Sequence, residues 1–182
     1  HGKTTTTSMV STILAEGGLD PTMVIGGKLA SIGSNARLGD GDIIVAEADE
    51  SDGSFLKLSP TIAVITNIDR EHLDYYPGID EIKAAFLKFA NIVPFYGCTV
   101  LCGDNAHVRE IAPDIKRRVI TYGIHEPADY SASDIRFLES KTLYRLSYKG
   151  ESLGDTELVE PGLFNVYNSM AATAVGRELG LD

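Results

Sequence analysis

His1-Gly2-Lys3-Thr4-Thr5-Thr6-Thr7 opens the chain and reads as the second half of a phosphate-binding loop running into a helix. A Gly-Lys-Thr step turns backbone N–H groups and a helix N-terminus toward a triphosphate, with Lys3 reaching the β/γ-phosphates and the Thr4 hydroxyl available to Mg²⁺. His1, Gly2, Lys3, Thr4 and Thr5 are therefore the candidate phosphate contacts. Four consecutive threonines are poor helix formers, and a ligand facing their hydroxyls and N–H groups explains them; a capped helix start after a turn is the plainer alternative. A strand and a glycine turn ordinarily precede such a lysine, so the chain reads as a fragment of a protein that extends N-terminally of His1.

Outward from the loop, Met9, Val10, Ile13 and Leu14 recur at helical spacing until Gly17-Gly18. The runs Ile43-Ile44-Val45-Ala46 and Ile62-Ala63-Val64-Ile65 read as strands buried on two faces, each ending in polar residues. In an open parallel sheet, ligands bind beyond the carboxyl ends of the strands, so chemistry is expected in those polar tails. A helix is expected over Asp80 to Asn91, strands over 99–102 and 119–122, and a short helix from about His107 between them. From Tyr130 to Val159 polar and apolar residues alternate around Lys149-Gly150 and Gly154-Asp155, which predicts a small antiparallel sheet. A helix follows over Asn165 to Leu179. With 182 residues and 43% hydrophobic composition, one core and one domain suffice. The fold class is α/β: a P-loop-type, doubly wound, mainly parallel sheet with helices on both faces, plus a small antiparallel sheet near the C-terminal end.

Three polar segments carry the candidate chemistry. Glu47-Ala48-Asp49-Glu50-Ser51-Asp52 packs four carboxylates into six residues, and their mutual repulsion favours a nearby cation. The run also reads as a solvated acidic loop; Glu47, directly after the apolar strand, is the best single ligand candidate. In Thr66-Asn67-Ile68-Asp69-Arg70-Glu71-His72, His72 lies just past a strand end, where it can hold a metal or orient a phosphate oxygen. Asn165 and Asn168 stand at the start of the last helix, where asparagine either caps or, through its paired donor and acceptor, meets an adenine edge.

Composition excludes several classes. A formal charge of −10, from 16 Lys+Arg against 26 Asp+Glu, argues against a nucleic-acid surface. Cys98 and Cys102 lack the spacing of a zinc site and read as plain thiols. No apolar run approaches the ~20 residues that span a bilayer, and no signal peptide or polybasic tail is evident, so the expectation is a soluble cytoplasmic protein without a membrane partner.

Taken in order, several segments resemble the Mur ligases of bacterial peptidoglycan synthesis: His1 to Thr7, Ser34-Asn35-Ala36-Arg37-Leu38-Gly39, Glu47 to Phe55, Thr66-Asn67 with His72 and Asp74, Pro94-Phe95-Tyr96-Gly97, and Asn165 with Asn168. The likeness covers essentially the whole chain, and the Asn-Ala-Arg-Leu-Gly and Glu-Ala-Asp-Glu-Ser-Asp segments point to the branch that acts on UDP-N-acetylmuramate and L-alanine. The resemblance implies that residues 1–182 are the central ATP-binding domain of a three-domain enzyme, inactive when isolated, with the UDP-binding and amino-acid-side domains outside it. It implies that ATP phosphorylates the muramoyl carboxylate to an acyl phosphate, which the alanine amine then attacks. Lys3 would hold the β/γ-phosphates, Thr4 and Glu47 one Mg²⁺, and Glu47 and His72 a second. Asn35 would lie near the muramoyl group, and Asn165 and Asn168 would meet the adenine. Two departures stand out. Where sister enzymes carry a carbamylated lysine in an Ala-Ala-Lys run, this chain has Ala84-Ala85-Phe86, leaving Lys83 or Lys88 as substitutes. Phe164 replaces the histidine usual before the first adenine-side asparagine. The rival readings are a ligase that attaches a recycled tripeptide to the same UDP-sugar, and a non-catalytic P-loop nucleotide-binding module.

Overall fold

The computed structural model describes residues 1–25, 36–71 and 74–182. Asn35 and His72 lie outside the described residues.

Helix α1 spans Lys3–Glu16. It begins earlier than the apolar spacing alone indicated, because the threonines lie inside its first turns, with Thr6 and Thr7 buried. Gly2, in the left-handed region at φ 79°, turns the chain into the helix.

A small sheet contains β1 (Thr22–Val24), β2 (Ala36–Arg37) and β3 (Ile44–Ala46) in the order β2-β1-β3. Strands β1 and β3 run parallel, with Thr22 opposite Ile44 and Val24 opposite Ala46. The expectation that the first apolar run is buried on both faces is not met: Ile44 is 70% exposed. The short strand β1 was not foreseen. Its three residues, flanked by Pro21 and the Gly26-Gly27 pair, give too little periodicity to read.

The main sheet has six strands: β4 (Ile62–Ile65), β5 (Cys98–Cys102), β6 (Arg118–Gly123), β7 (Tyr130–Phe137), β8 (Thr142–Tyr148) and β9 (Glu151–Leu158), hydrogen-bonded in that order. The pairs from β4 to β7 are parallel and the last two antiparallel. The antiparallel strands fall where the alternation placed them. They extend the parallel sheet through Tyr122 opposite Tyr130 and Gly123 opposite Ser131 rather than forming a sheet apart. Lys149 and Gly150, with φ of 49° and 85°, make the tight turn that matches the twist of β8 and β9.

Helices α2 (Ile79–Ile92) and α3 (Ala106–Ile111) cover one face of the sheet, and α1 and α4 (Leu163–Glu178) the other. Strand β5 shows why the sheet is doubly wound. Its alternate residues Cys98, Val100 and Cys102 pack with Val10, Leu14, Val166 and Met170, while Leu101 packs with Ile82, Ala90, Val108 and Ile111. The alanines of α4 let α1 approach closely; a Cβ on Gly176 would stand 2.8 Å from Ile13 Cγ2. Both cysteines are buried free thiols, and burial pushes Cys98 up to about 11 and raises Cys102. Among the described residues no helix is long and apolar enough to cross a membrane.

Candidate nucleotide and metal site

The first N–H groups of α1 have no carbonyl within the helix to meet, which makes its N-terminus an anion-facing surface. The loop before it is held from both sheets. From β4's polar tail, Thr66 Oγ1 donates to the His1 carbonyl at 2.8 Å and Asn67 Nδ2 donates to the same oxygen at 2.7 Å. From the small sheet, the ladder continues past β3 as Glu47 N–H donates to Val24 O at 2.9 Å. That bond aims the Glu47 carboxylate at α1, where the Thr4 hydroxyl lies 3.0 and 3.1 Å from its two oxygens. Residues 1–4 thus sit where the carboxyl ends of β3 and β4 meet, as the crevice rule requires.

The acidic run divides into four separate roles. Glu47 faces Thr4. Glu50 Oε2 pairs with Lys3 Nζ at 2.5 Å, and Asp49 Oδ1 stands 3.9 Å from the same ammonium. Asp49 and Asp52 accept the N–H groups of Ser51 and Ser54 at 3.0 and 2.9 Å, and hydrogen bonding from those serines holds both carboxyls below the usual range. Lys3 is thus the cation that answers Asp49 and Glu50. Sequence reading missed Tyr76, whose buried hydroxyl donates to the Glu50 carbonyl at 2.8 Å; burial raises the pKa of that phenol.

The Thr4 hydroxyl beside the Glu47 carboxylate forms a hard-oxygen pair suited to Mg²⁺. Among the described residues no group of three or more His, Cys, Asp or Glu gathers as a metal cluster. A small cleft beside Glu50 is lined by Asn67, Asp69, Glu71 and Phe86. Phe86, packed on Phe55 with ring centroids 5.4 Å apart, presents an apolar wall there. Lys83 is committed elsewhere: hydrogen bonds to Asp80 and Glu110, both at 2.8 Å, push it up to about 12.

On the other side of α1 stands the start of α4. Gly162 turns the chain at φ 123° and its N–H donates to Thr142 Oγ1 at 3.1 Å. Asn165 Nδ2 donates to Pro161 O at 3.2 Å, and Asn168 Nδ2 to Asn165 Oδ1 at 3.4 Å. Asn168 is buried against the loop: Thr6 Oγ1 donates to its Oδ1 at 3.1 Å, and a Cβ on Gly2 would stand 2.7 Å from that oxygen. Phe164 is 82% exposed at the rim. A further brace was not legible in the sequence. Asp104 accepts the N–H groups of Ile124, His125 and Glu126 and the Tyr167 hydroxyl, the last at 2.6 Å. Burial pushes the Asp104 carboxyl up, but the Tyr167 and backbone hydrogen bonds outweigh it and hold the carboxyl below its usual range.

The structure therefore brings Lys3, Thr4, Glu47 and Asn168 together around the α1 N-terminus, with His1 held on β4's tail, Thr5 in the first turn and Asn165 joined through Asn168. Of the segment containing Asn35, the described part has structural partners: Arg37 pairs with Asp20 at 2.5 Å, and Gly39 lies against the Asp20 and Pro21 backbone. A cleft of about 610 Å³ lies elsewhere, on the antiparallel strands between Arg136, Leu143, Arg145 and Glu157. Arg145 there is already paired with Asp134 and Asp155.

The Mur ligase middle domain matches residues 1–176, and the chain belongs to that family. It is 67% identical over 181 residues to a UDP-N-acetylmuramate–L-alanine ligase of Syntrophus aciditrophicus, covering 100% of this chain and 38% of the relative. It is 59% identical to the ligase of the same description from Geotalea uraniireducens, covering 100% of this chain and 40% of that protein. The chain thus spans about two fifths of the length of these curated relatives. Among solved structures it is similar to the UDP-N-acetylmuramate-alanine ligase of Thermotoga maritima, with 27% identity and a TM-score of 0.86 over 100% of this chain and 40% of that one. It is equally similar to the UDP-N-acetylmuramate:L-alanyl-gamma-D-glutamyl-meso-diaminopimelate ligase of Neisseria meningitides, with 26% identity and a TM-score of 0.87 over 100% of this chain and 60% of that one.

Proposed function

We propose that residues 1–182 are the ATP-binding domain of a cytoplasmic ligase that joins L-alanine to UDP-N-acetylmuramate in peptidoglycan precursor synthesis. The carrying observation is the convergence of Lys3, the Thr4 hydroxyl and the Glu47 carboxylate at the N-terminus of α1. The choice of substrates follows the identity of 67% to a relative so described.

In this reading the N–H groups of α1 and the Lys3 ammonium receive the phosphates. Thr4 and Glu47 would hold one Mg²⁺, and Glu47 with His72 would hold a second. The metal supplies charge neutralisation at the transferring phosphoryl. By the family resemblance Asn35 would contact the muramoyl group, and Asn165, Asn168 and Phe164 would receive the base. A muramoyl carboxylate oxygen attacks the γ-phosphorus as its bond to the β–γ bridging oxygen breaks and ADP leaves. The alanine amine then attacks the acyl carbon, phosphate departs, and the nitrogen loses a proton. The residues of this chain contribute alignment and charge compensation rather than covalent chemistry.

A second reading, the tripeptide-adding ligase, is favoured by the equal likeness to the Neisseria structure. ADP release by the full-length protein with UDP-N-acetylmuramate and either L-alanine or the tripeptide separates the two. Turnover with L-alanine is expected; turnover with the tripeptide alone overturns the first reading. Residues 1–182 by themselves are expected to form no UDP-N-acetylmuramoyl-alanine.

A further inference from the structure

We infer that Thr6 is a positioning residue for base recognition, its hydroxyl tying the Asn168 amide, already oriented through Asn165 by the Pro161 carbonyl, to α1. The inference rests on the proposal that Asn168 meets adenine. Side-chain amides are nearly symmetric in shape, and a half-turn exchanges donor and acceptor. Here a one-way relay removes that ambiguity. Its fixed end is the Pro161 carbonyl, which can only accept, so Asn165 must offer it Nδ2. Asn165 Oδ1 then faces Asn168 and takes Nδ2 of that amide, turning Asn168 Oδ1 toward α1. Thr6, 4% exposed, closes the relay by donating to that oxygen at 3.1 Å. The Thr6 N–H is already committed to Gly2 O at 2.9 Å, and Gly2 leaves no room for a Cβ beside Asn168 Oδ1. The phosphate loop and the base-side amide are thereby parts of one hydrogen-bonded unit.

With its polarity fixed, Asn168 offers a base the second lone pair of Oδ1 and the second hydrogen of Nδ2. Adenine matches these with its N6 donor and N7 acceptor. Guanine places O6 against Oδ1, acceptor against acceptor. Without the Thr6 hydroxyl, Oδ1 loses its partner from α1 in a buried place, and the amide can shift from the position in which it meets N6 and N7 together.

The test is kcat/KM for ATP and GTP in the full-length ligase carrying Thr6→Val, Thr6→Ser or Asn168→Ala. Thr6→Val keeps the volume and is expected to narrow the ATP/GTP ratio by about three- to tenfold, the worth of one hydrogen bond. Thr6→Ser is expected to retain the ratio, and Asn168→Ala to narrow it at least as far as Thr6→Val. A ratio narrowed by Asn168→Ala but not by Thr6→Val overturns the role of Thr6 and leaves the base reading standing. A ratio that neither moves overturns both. Equal loss for both nucleotides in Thr6→Val, with a lower melting temperature, assigns Thr6 to packing alone and also overturns the inference.

Discussion

The two sheets that meet at the loop differ in what holds them. Strand β5 is buried along its whole length between helices on both faces, whereas β3, which delivers Glu47, has Ile44 and Ala46 exposed and only Val45 partly covered. The deep sheet carries the stability and the shallow one carries the carboxylate. A backbone with few apolar contacts can adjust to a ligand at low cost, while the helix it faces stays fixed by the core. Substitution breaks this comparison most directly. Leu101→Ala in β5 is expected to lower stability by about 2–5 kcal/mol, with a lower denaturation midpoint. Ile44→Ala in β3 is expected to fall within about 0.5 kcal/mol. Similar losses at both positions would show that the small sheet belongs to the same cooperative core.

Activity should respond in the opposite sense. In the full-length enzyme, Glu47→Ala is expected to lower kcat about 10²-fold or more with a smaller change in KM for ATP, because a ligand at the transferring phosphoryl acts mainly in the transition state. Its melting temperature is expected to stay near that of the parent. Asp52→Ala, whose carboxylate serves only the Ser54 turn in the described contacts, is expected to change kcat little. Equal kinetic losses at Glu47 and Asp52 would place the metal elsewhere in the acidic run.

The brace at Asp104 gives the deep sheet a pH-dependent element. Its folded pKa lies below the ordinary 3.8. Its contribution to stability is therefore complete above that value and is lost as pH falls through the lower folded pKa. Asp104→Asn is expected to cost about 1–3 kcal/mol at neutral pH, the loss of charge-assisted bonds from Tyr167 and three N–H groups. It is also expected to flatten the part of the stability profile below about pH 4. A variant whose acid profile matches the parent's would show that other carboxylates set that limb.

Legibility in the sequence follows the same division. The elements of the deep sheet were readable because burial on two faces imposes continuous apolar runs, as in Cys98–Cys102, and because α2 repeats Ile82, Ala85 and Phe89 on one side. The three-residue strand β1 was not readable, nor was the exposure of β3, since an apolar run does not reveal what covers it. At the site, Lys3, Thr4 and Glu47 were marked by position at helix and strand ends, and the structure brings them together. Tyr76 and Asp104 were not marked, and Thr6 was marked only as one of four threonines with ligand-facing hydroxyls, not as a partner of Asn168. Each acts through a contact with residues far away in the chain, and neither periodicity nor motif spacing carries that kind of information. The partition of four adjacent carboxylates was hidden for the same reason: it depends on which side chain Lys3 and Thr4 can reach.

The smallest expected effect concerns the ion pair between the two regions. Lys3 spends its charge on Glu50 at 2.5 Å, with side-chain exposures of 32% and 15%, and a phosphate must displace that carboxylate before Lys3 can hold it. Partly exposed pairs of this kind are worth about 0.2–1 kcal/mol. Glu50→Gln keeps the shape and the Tyr76 bond to the Glu50 backbone while removing the competing charge. It is expected to lower KM for ATP about two- to fivefold, with the gap between variant and parent closing as salt screens the pair. The measurement is KM for ATP in the full-length protein across ionic strength at saturating Mg²⁺. A rise in KM for ATP, accompanied by a higher Mg²⁺ requirement, would instead make Glu50 a working part of the metal site. The loop would then take two carboxylates from the shallow sheet's acidic run, not Glu47 alone.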